Sequence, residues 1–166
     1  MSGFVLFATP WWVNLIILTP LFAYLLSIKN KVPVVKMQLV QLAIFGMAVG
    51  FVEAAVVIYL RAAAGPSRVP QAETSVYLPE DLLRIERFRE AATMVVLGGI
   101  AVFVARQAKG RALAFLWAFA VWDVSYYLWL RLTIGWPSSL ICPDVLFLIP
   151  VPWVAQVWFP VLVKAF

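Results

Sequence analysis

The sequence predicts an all-α integral membrane protein of five transmembrane helices, folded as a single transmembrane domain over residues 1–166. Three observations predict it. Of the 166 residues, 64% are hydrophobic and only 13% charged, which is more apolar surface than a soluble domain of this size can hide. Five apolar runs approach the ~20 residues, at roughly 1.5 Å rise each, that a bilayer crossing needs. The short loops alternate in charge, and that alternation orients the chain with its N-terminus out and its C-terminus in.

The first span is expected at residues 11–28, with Pro20 inside it as a source of a kink. The first basic side chain, Lys29, follows this run, whereas a secretory signal would carry positive charge before it. The run therefore reads as a retained anchor. Lys29, Lys31 and Lys36 come next, with no acid among them. The second span is placed at residues 37–60. Residues 61–87 then read as an external loop and the amphipathic start of the third helix. Glu80 and Asp81 suit a first helical turn, where acids complement the helix dipole, and one continuous helix is expected from Glu80 to Ala105. Its membrane part is placed at residues 88–105. Arg106, Lys109 and Arg111 follow on the basic side, before a fourth span at residues 112–130. The fifth span, residues 146–163, contains Pro150, Pro152 and Pro160, so it is expected to be kinked or broken. Lys164 follows it. All five lysines thus fall on the side assigned to the interior.

An internal resemblance overlies this order. Phe51–Arg61 reads FVEAAVVIYLR and Val121–Arg131 reads VWDVSYYLWLR, so Glu53 aligns with Asp123 and Arg61 with Arg131. Phe45 then meets Phe115, and Gly65 meets Gly135. The pattern reads as a parallel two-helix repeat, helices 2–3 against helices 4–5.

Each carboxylate lies about 12 Å below its arginine along the helix, inside the apolar span. A charge there is costly and ordinarily faces the protein interior with a partner. Gly46 and Gly50 form a GxxxG pair whose face Glu53 continues, so Glu53 is expected at a tight helix contact. Tyr126 and Tyr127 supply hydroxyl donors near Asp123. On the third helix Glu86, Glu90, Thr93 and Leu97 share one stripe. The expected polar cluster is therefore Glu53, Arg61, Glu86, Arg87, Arg89, Glu90, Asp123, Tyr127, Arg131 and Asp144, converging near the outer face. Its bases are all arginines, which pair with carboxylates in planar, bidentate fashion. Trp136 and Trp153 read as interface anchors.

The absence of histidine and the single cysteine, Cys142, exclude His-ligated haem, HExxH zinc, the common His-dependent nucleophile systems and an intrachain disulfide. A metal in the cluster would have only oxygen ligands, which favours Mg, Ca or Mn, with Glu53, Glu86, Glu90 and Asp123 as the candidate ligands. The net charge of +5 lies mainly in short loops, so it is assigned to membrane topology and not to nucleic acid. The expected partners are membrane lipids and either other membrane subunits or further copies of this chain. The expected location is a bacterial inner membrane. The function expected is that of a non-catalytic subunit or scaffold of a membrane assembly. A small carrier or binding protein for a cation or small solute is the first alternative, and a cation-dependent, lipid-directed membrane enzyme the second.

Overall fold

The computed structural model describes residues 7–28, 34, 36–64 and 79–165. The first basic loop, the repeat position Gly65 and most of the expected external loop lie outside the described residues. The chain is mostly helical, 76%, with five α-helices. A 3-10 segment, Trp11–Leu18, leads into α1 (Thr19–Ile28). Then come α2 (Lys36–Ala64), α3 (Glu80–Val104) and α4 (Ala108–Ile134). Two short strands, β1 (Pro143–Phe147) and β2 (Trp153–Gln156), precede α5 (Trp158–Ala165).

The change from 3-10 to α geometry falls just before Pro20, which then occupies the first turn of α1. Proline is tolerated there because its missing N–H has no helical partner to lose. Asn14 holds the 3-10 segment: its side chain accepts from Ala8 N (2.9 Å) and donates to the carbonyls of Ala8 (3.0 Å) and Trp11 (2.8 Å).

α2 and α4 run parallel and touch backbone to backbone. A Cβ on Gly46 would meet Ala118 O at 3.0 Å, and one on Gly50 would meet Trp122 O at 2.8 Å. Glycine at Gly50 is thus a steric requirement. On the facing side α4 presents Ala114, Ala118, Trp122 and Ser125, all buried. Two indoles brace the seam, Trp117 Nε1 donating to Leu39 O (2.9 Å) and Trp129 Nε1 to Met47 O (3.1 Å). Leu42, Leu97, Ala101, Ala114, Ala118 and Trp122 form the core between α2, α3 and α4. α3 runs antiparallel to both: its end meets the start of α2, where Gln38 Nε2 donates to Val104 O (3.1 Å). α4 ends at Gly135, whose φ of 71° is the left-handed cap that glycine adopts without a Cβ penalty.

The fifth span is the main correction. Residues 146–163 do not form a transmembrane helix. A helix through them would enclose Pro150, Pro152 and Pro160, at a cost of about 3 kcal/mol for each interior proline. The chain instead turns back as a β-hairpin, with Asp144 opposite Ala155, Val145 opposite Val154 and Phe147 opposite Trp153. Pro143 opens β1 and Pro160 sits in the first turn of α5, positions where proline is tolerated. Thr9 adds to the free edge of β2 through paired 2.8 Å bonds with Val154. α5, with 8 residues, rises only about 12 Å. It does not supply the fifth crossing on which the C-terminus-in expectation rested. The second repeat unit likewise lacks its returning helix, so the expected duplication of a helix pair does not hold.

Two helices, α2 and α4, are long and apolar enough to cross a membrane. α3 is continuous over almost the length expected of it. Its first eleven residues carry seven charges, and the apolar stretch after Glu90 rises only about 21 Å.

Candidate functional site: the buried carboxylates

The polar residues gather where α2 and α4 end and α3 begins, but in three separate groups. The first joins α2 to α3. Glu53 follows Gly46 and Gly50 on the seam face of α2 and is buried. Its Oε1 pairs with Arg89 Nη1. The other edge of the Arg89 guanidinium donates to Glu86, Nε to Oε2 at 2.9 Å and Nη2 to Oε1 at 2.5 Å. One planar guanidinium thus bridges two buried acids, the fork geometry that lysine lacks. Thr93 Oγ1 lies 3.4 Å from Glu53 Oε2 and donates to Arg89 O at 3.1 Å.

The second group joins α3 to the hairpin. Both oxygens of Glu90 accept the Leu148 N–H, at 2.9 and 3.2 Å. Leu148 follows β1 directly and is itself buried, so its N–H sits where no water replaces a lost ladder bond. A buried backbone donor needs a partner. A helix finds that partner within itself, and a bent hairpin does not. Glu90 supplies it from the neighbouring helix.

The third group joins the hairpin to α4. Tyr127 Oη donates to Asp144 Oδ2 at 2.8 Å, and both residues are buried. Burial pushes the Asp144 carboxyl up to about 7, against the Tyr127 hydrogen bond and the positive charge of Arg61. Arg61 stacks on Trp136, its guanidinium carbon 4.4 Å from the ring centroid. Its Nε and Nη1 are buried and make no hydrogen bond. The indole face supplies the cation–π contact instead. Asp123 is buried one helical turn below Tyr127 and acts electrostatically on Asp144.

The single convergence expected from the sequence is therefore divided. Glu53, Glu86 and Arg89 do come together, and Tyr127 meets Asp144. Among the described residues, Arg131 joins no acid. It is exposed, and its Nη1 donates to the carbonyls of Gly135 (2.6 Å) and Pro137 (2.9 Å), closing the end of α4. Arg87 is exposed on α3, outside the inward stripe of Glu86 and Glu90. Among the described residues no group of three or more acids and cysteines is placed to hold a metal ion. Two partners escaped the sequence reading. Trp136, taken as an interface anchor, is buried beneath Arg61. The Leu148 N–H is a main-chain atom and leaves no mark in a sequence.

No protein family, curated protein or solved structure matches this chain.

Proposed function

We propose that the chain is an integral membrane protein that serves as a non-catalytic subunit or scaffold of a membrane assembly, oriented N-terminus out in a membrane of the bacterial inner type. The observation that carries this reading is where the buried acids go. Glu53 and Glu86 are joined by Arg89, Glu90 takes a backbone N–H, and Asp144 takes a phenol. Each link ties one element of the fold to the next or steadies an arginine that does. A cation carrier or a metal-dependent enzyme needs carboxylates that face a ligand.

The membrane reading is supported by exposure. The most apolar stretch of α2 is only 22% buried and that of α4 39%, whereas the core helix of a soluble protein would be enclosed. Phe103, Val95 and Tyr59 are 88%, 73% and 71% exposed on the outer faces of α3 and α2. Arg89 and Glu90 then enter the membrane edge as members of paired groups, the condition under which charges are accepted there. The lysines between the first two spans and between the third and fourth support this orientation through the positive-inside bias.

The test is purification from native membranes in a mild detergent, with the intact particle weighed by mass spectrometry. Stoichiometric partner subunits are the expected result. Recovery alone or as a homo-oligomer, with solute flux or divalent-dependent turnover after reconstitution, would overturn the subunit reading. Labelling of Cys142 by an impermeant thiol reagent in intact cells checks the orientation separately.

A further inference from the structure

The parallel helices α2 and α4 both begin on the lysine-bearing side of the molecule, and a cavity of about 910 Å³ rises from that end between α1, α3, α4 and the hairpin. Its walls are almost wholly apolar. Leu39 of α2 and Leu113 of α4 line the lower end, and Phe147, Ile149 and Trp153 of the hairpin line the upper. Leu113, Leu116 and Ala120 form one stripe of the wall, at i, i+3 and i+7. Lys109 continues that stripe one turn below Leu113. From Lys109 to Ala120 the helix rises about 16 Å. One leaflet of a bilayer core is about 15 Å deep, so a hydrocarbon chain anchored at the level of Lys109 ends within the cavity.

The lower end is basic. Lys36 lies one turn below Leu39 on α2, as Lys109 lies below Leu113 on α4, and both lysines are exposed. Helical side chains lean toward the N-terminus of their helix, so both ammonium groups reach down to the headgroup layer while their stems cover apolar surface. Arg106 and Arg111 are exposed at the same end. No side chain caps the first turn of α4, so its N–H groups add to the positive field. Nothing opposes this charge nearby in the sequence: no acid precedes Glu53, and none lies between Glu90 and Asp123. The upper end offers no rival anchor, because the buried Glu90 carboxylate already takes the Leu148 N–H.

We infer that this cavity holds an acyl chain of an anionic phospholipid from the lysine-side leaflet, with its phosphate at the level of Lys36 and Lys109. The apolar wall selects hydrocarbon, and its height matches the depth of one leaflet. The rim selects the head. A lysine ammonium binds phosphate as a point charge, and two of them with no acid beside them favour a head of net negative charge over a zwitterionic one. The inference rests on the membrane reading and is independent of the subunit reading.

The test uses the full chain in detergent and a phosphatidylglycerol that carries a photoactivatable diazirine near the methyl end of one chain. Peptide mass spectrometry after illumination maps where that end sits. Adducts should concentrate on Met94, Leu116 and Ala120 in the wall. Unlabelled phosphatidylglycerol should compete better than phosphatidylcholine of the same chains. A lysine near an anionic head contributes about fivefold, so the pair predicts a preference of about 25-fold. Lys36→Gln with Lys109→Gln should remove that preference and leave the adducts in place. Ala120→Phe, which fills the wall, should abolish them. Adducts spread equally over exposed faces such as Val40 and Ile44 of α2 would overturn the inference. Equal competition by the two lipids, or a preference that survives the double lysine variant, would overturn it too. If Ala120→Phe does not fold, the adduct map of the parent and the lysine variant decide it. Alkaline carbonate extraction run in parallel separates the two readings. A chain that washes off membranes loses the membrane reading and this inference together, whereas one that stays but shows scattered adducts loses this inference alone.

Discussion

The seam between α2 and α4 and the junctions of α3 with α2 and with the hairpin are built on opposite chemistry. The seam is closed by absence: Gly46 and Gly50 carry no side chain, and the α4 backbone fills the space. The junctions of α3 are closed by charge, Arg89 linking Glu86 to Glu53 of α2 and Glu90 reaching the hairpin, between elements that do not touch so closely. The difference lies in the backbone. A regular helix satisfies its own N–H and C=O groups, so two helices in an apolar medium approach as far as their side chains allow. A hairpin ending in a proline-rich turn leaves donors such as Leu148 N open, and a neighbour must reach in with an acceptor. Glu90 is best understood as service to the broken segment of this apolar chain.

The strongest way to break the α2–α3 junction is to remove its central cation. Arg89→Leu leaves Glu53 and Glu86 buried and facing each other. We expect a loss of about 3–5 kcal/mol in unfolding free energy, or no folded protein in detergent, as for other buried pairs stripped of one partner. Restoring neutrality with Glu53→Gln and Glu86→Gln in the same chain should recover part of it. Thermal unfolding of the three chains side by side checks this, and equal stability of Arg89→Leu and the parent would mean the bridge carries no load. The seam should break more mildly. Gly50→Ala places a methyl 2.8 Å from Trp122 O, and overpacking of this kind costs about 1–3 kcal/mol. Gly98→Ala, where nothing lies within 4 Å of the added carbon, is the matched control and should be neutral or stabilising.

These contrasts also show which parts of the molecule were legible in advance. The close contact at Gly46, Gly50 and Glu53 was readable because helical spacing puts the three on one face. The stripe Glu86, Glu90, Thr93 and Leu97 was readable for the same reason, and it faces inward, with Glu86, Glu90 and Leu97 buried. The broken fifth segment was half readable. Its prolines mark it as kinked or broken, but nothing local says that the pieces pair as strands or that Thr9, some 145 residues away in the chain, adds to their edge. The destinations of the acids were not readable. Glu90 ends on a backbone N–H, and Arg61 ends on an indole 75 residues later. Complementary charge in a sequence points to salt bridges, and neither of these is one.

The Glu90 link sharpens the comparison at a smaller scale. Glu90→Ala strands the buried Leu148 N–H, at a cost of about 1–3 kcal/mol. Glu90→Gln keeps a carbonyl oxygen for that donor and should restore most of the loss. Hydrogen exchange at Leu148 distinguishes the two, with fast exchange in Glu90→Ala and near-parental protection in Glu90→Gln. If Glu90→Gln were as damaging as Glu90→Ala, the charge itself would be needed and the backbone-acceptor role would fail.

The smallest effect at any one condition is the pH response of the hairpin–α4 link. The Asp144 carboxyl stands at about 7 in the folded chain against an ordinary value of 3.8, with burial as the main cause. The folded state therefore holds this proton more tightly than the unfolded state. Its stabilising contribution is complete below about 3.8 and is lost as pH rises through about 7. Near pH 7 the folded carboxyl is half protonated and the unfolded one ionised, so stability should fall by about 0.7 kcal/mol per pH unit from this group. Asp144→Asn cannot titrate and still accepts from Tyr127, so its unfolding temperature should be flatter between pH 6 and 8. An unfolding temperature that rises over that range in the parent, or an equal slope in both chains, would mean that Asp144 is ionised in the fold. The positive charge of Arg61 above Trp136 would then be neutralising it, and the third link would be an ion pair like the first.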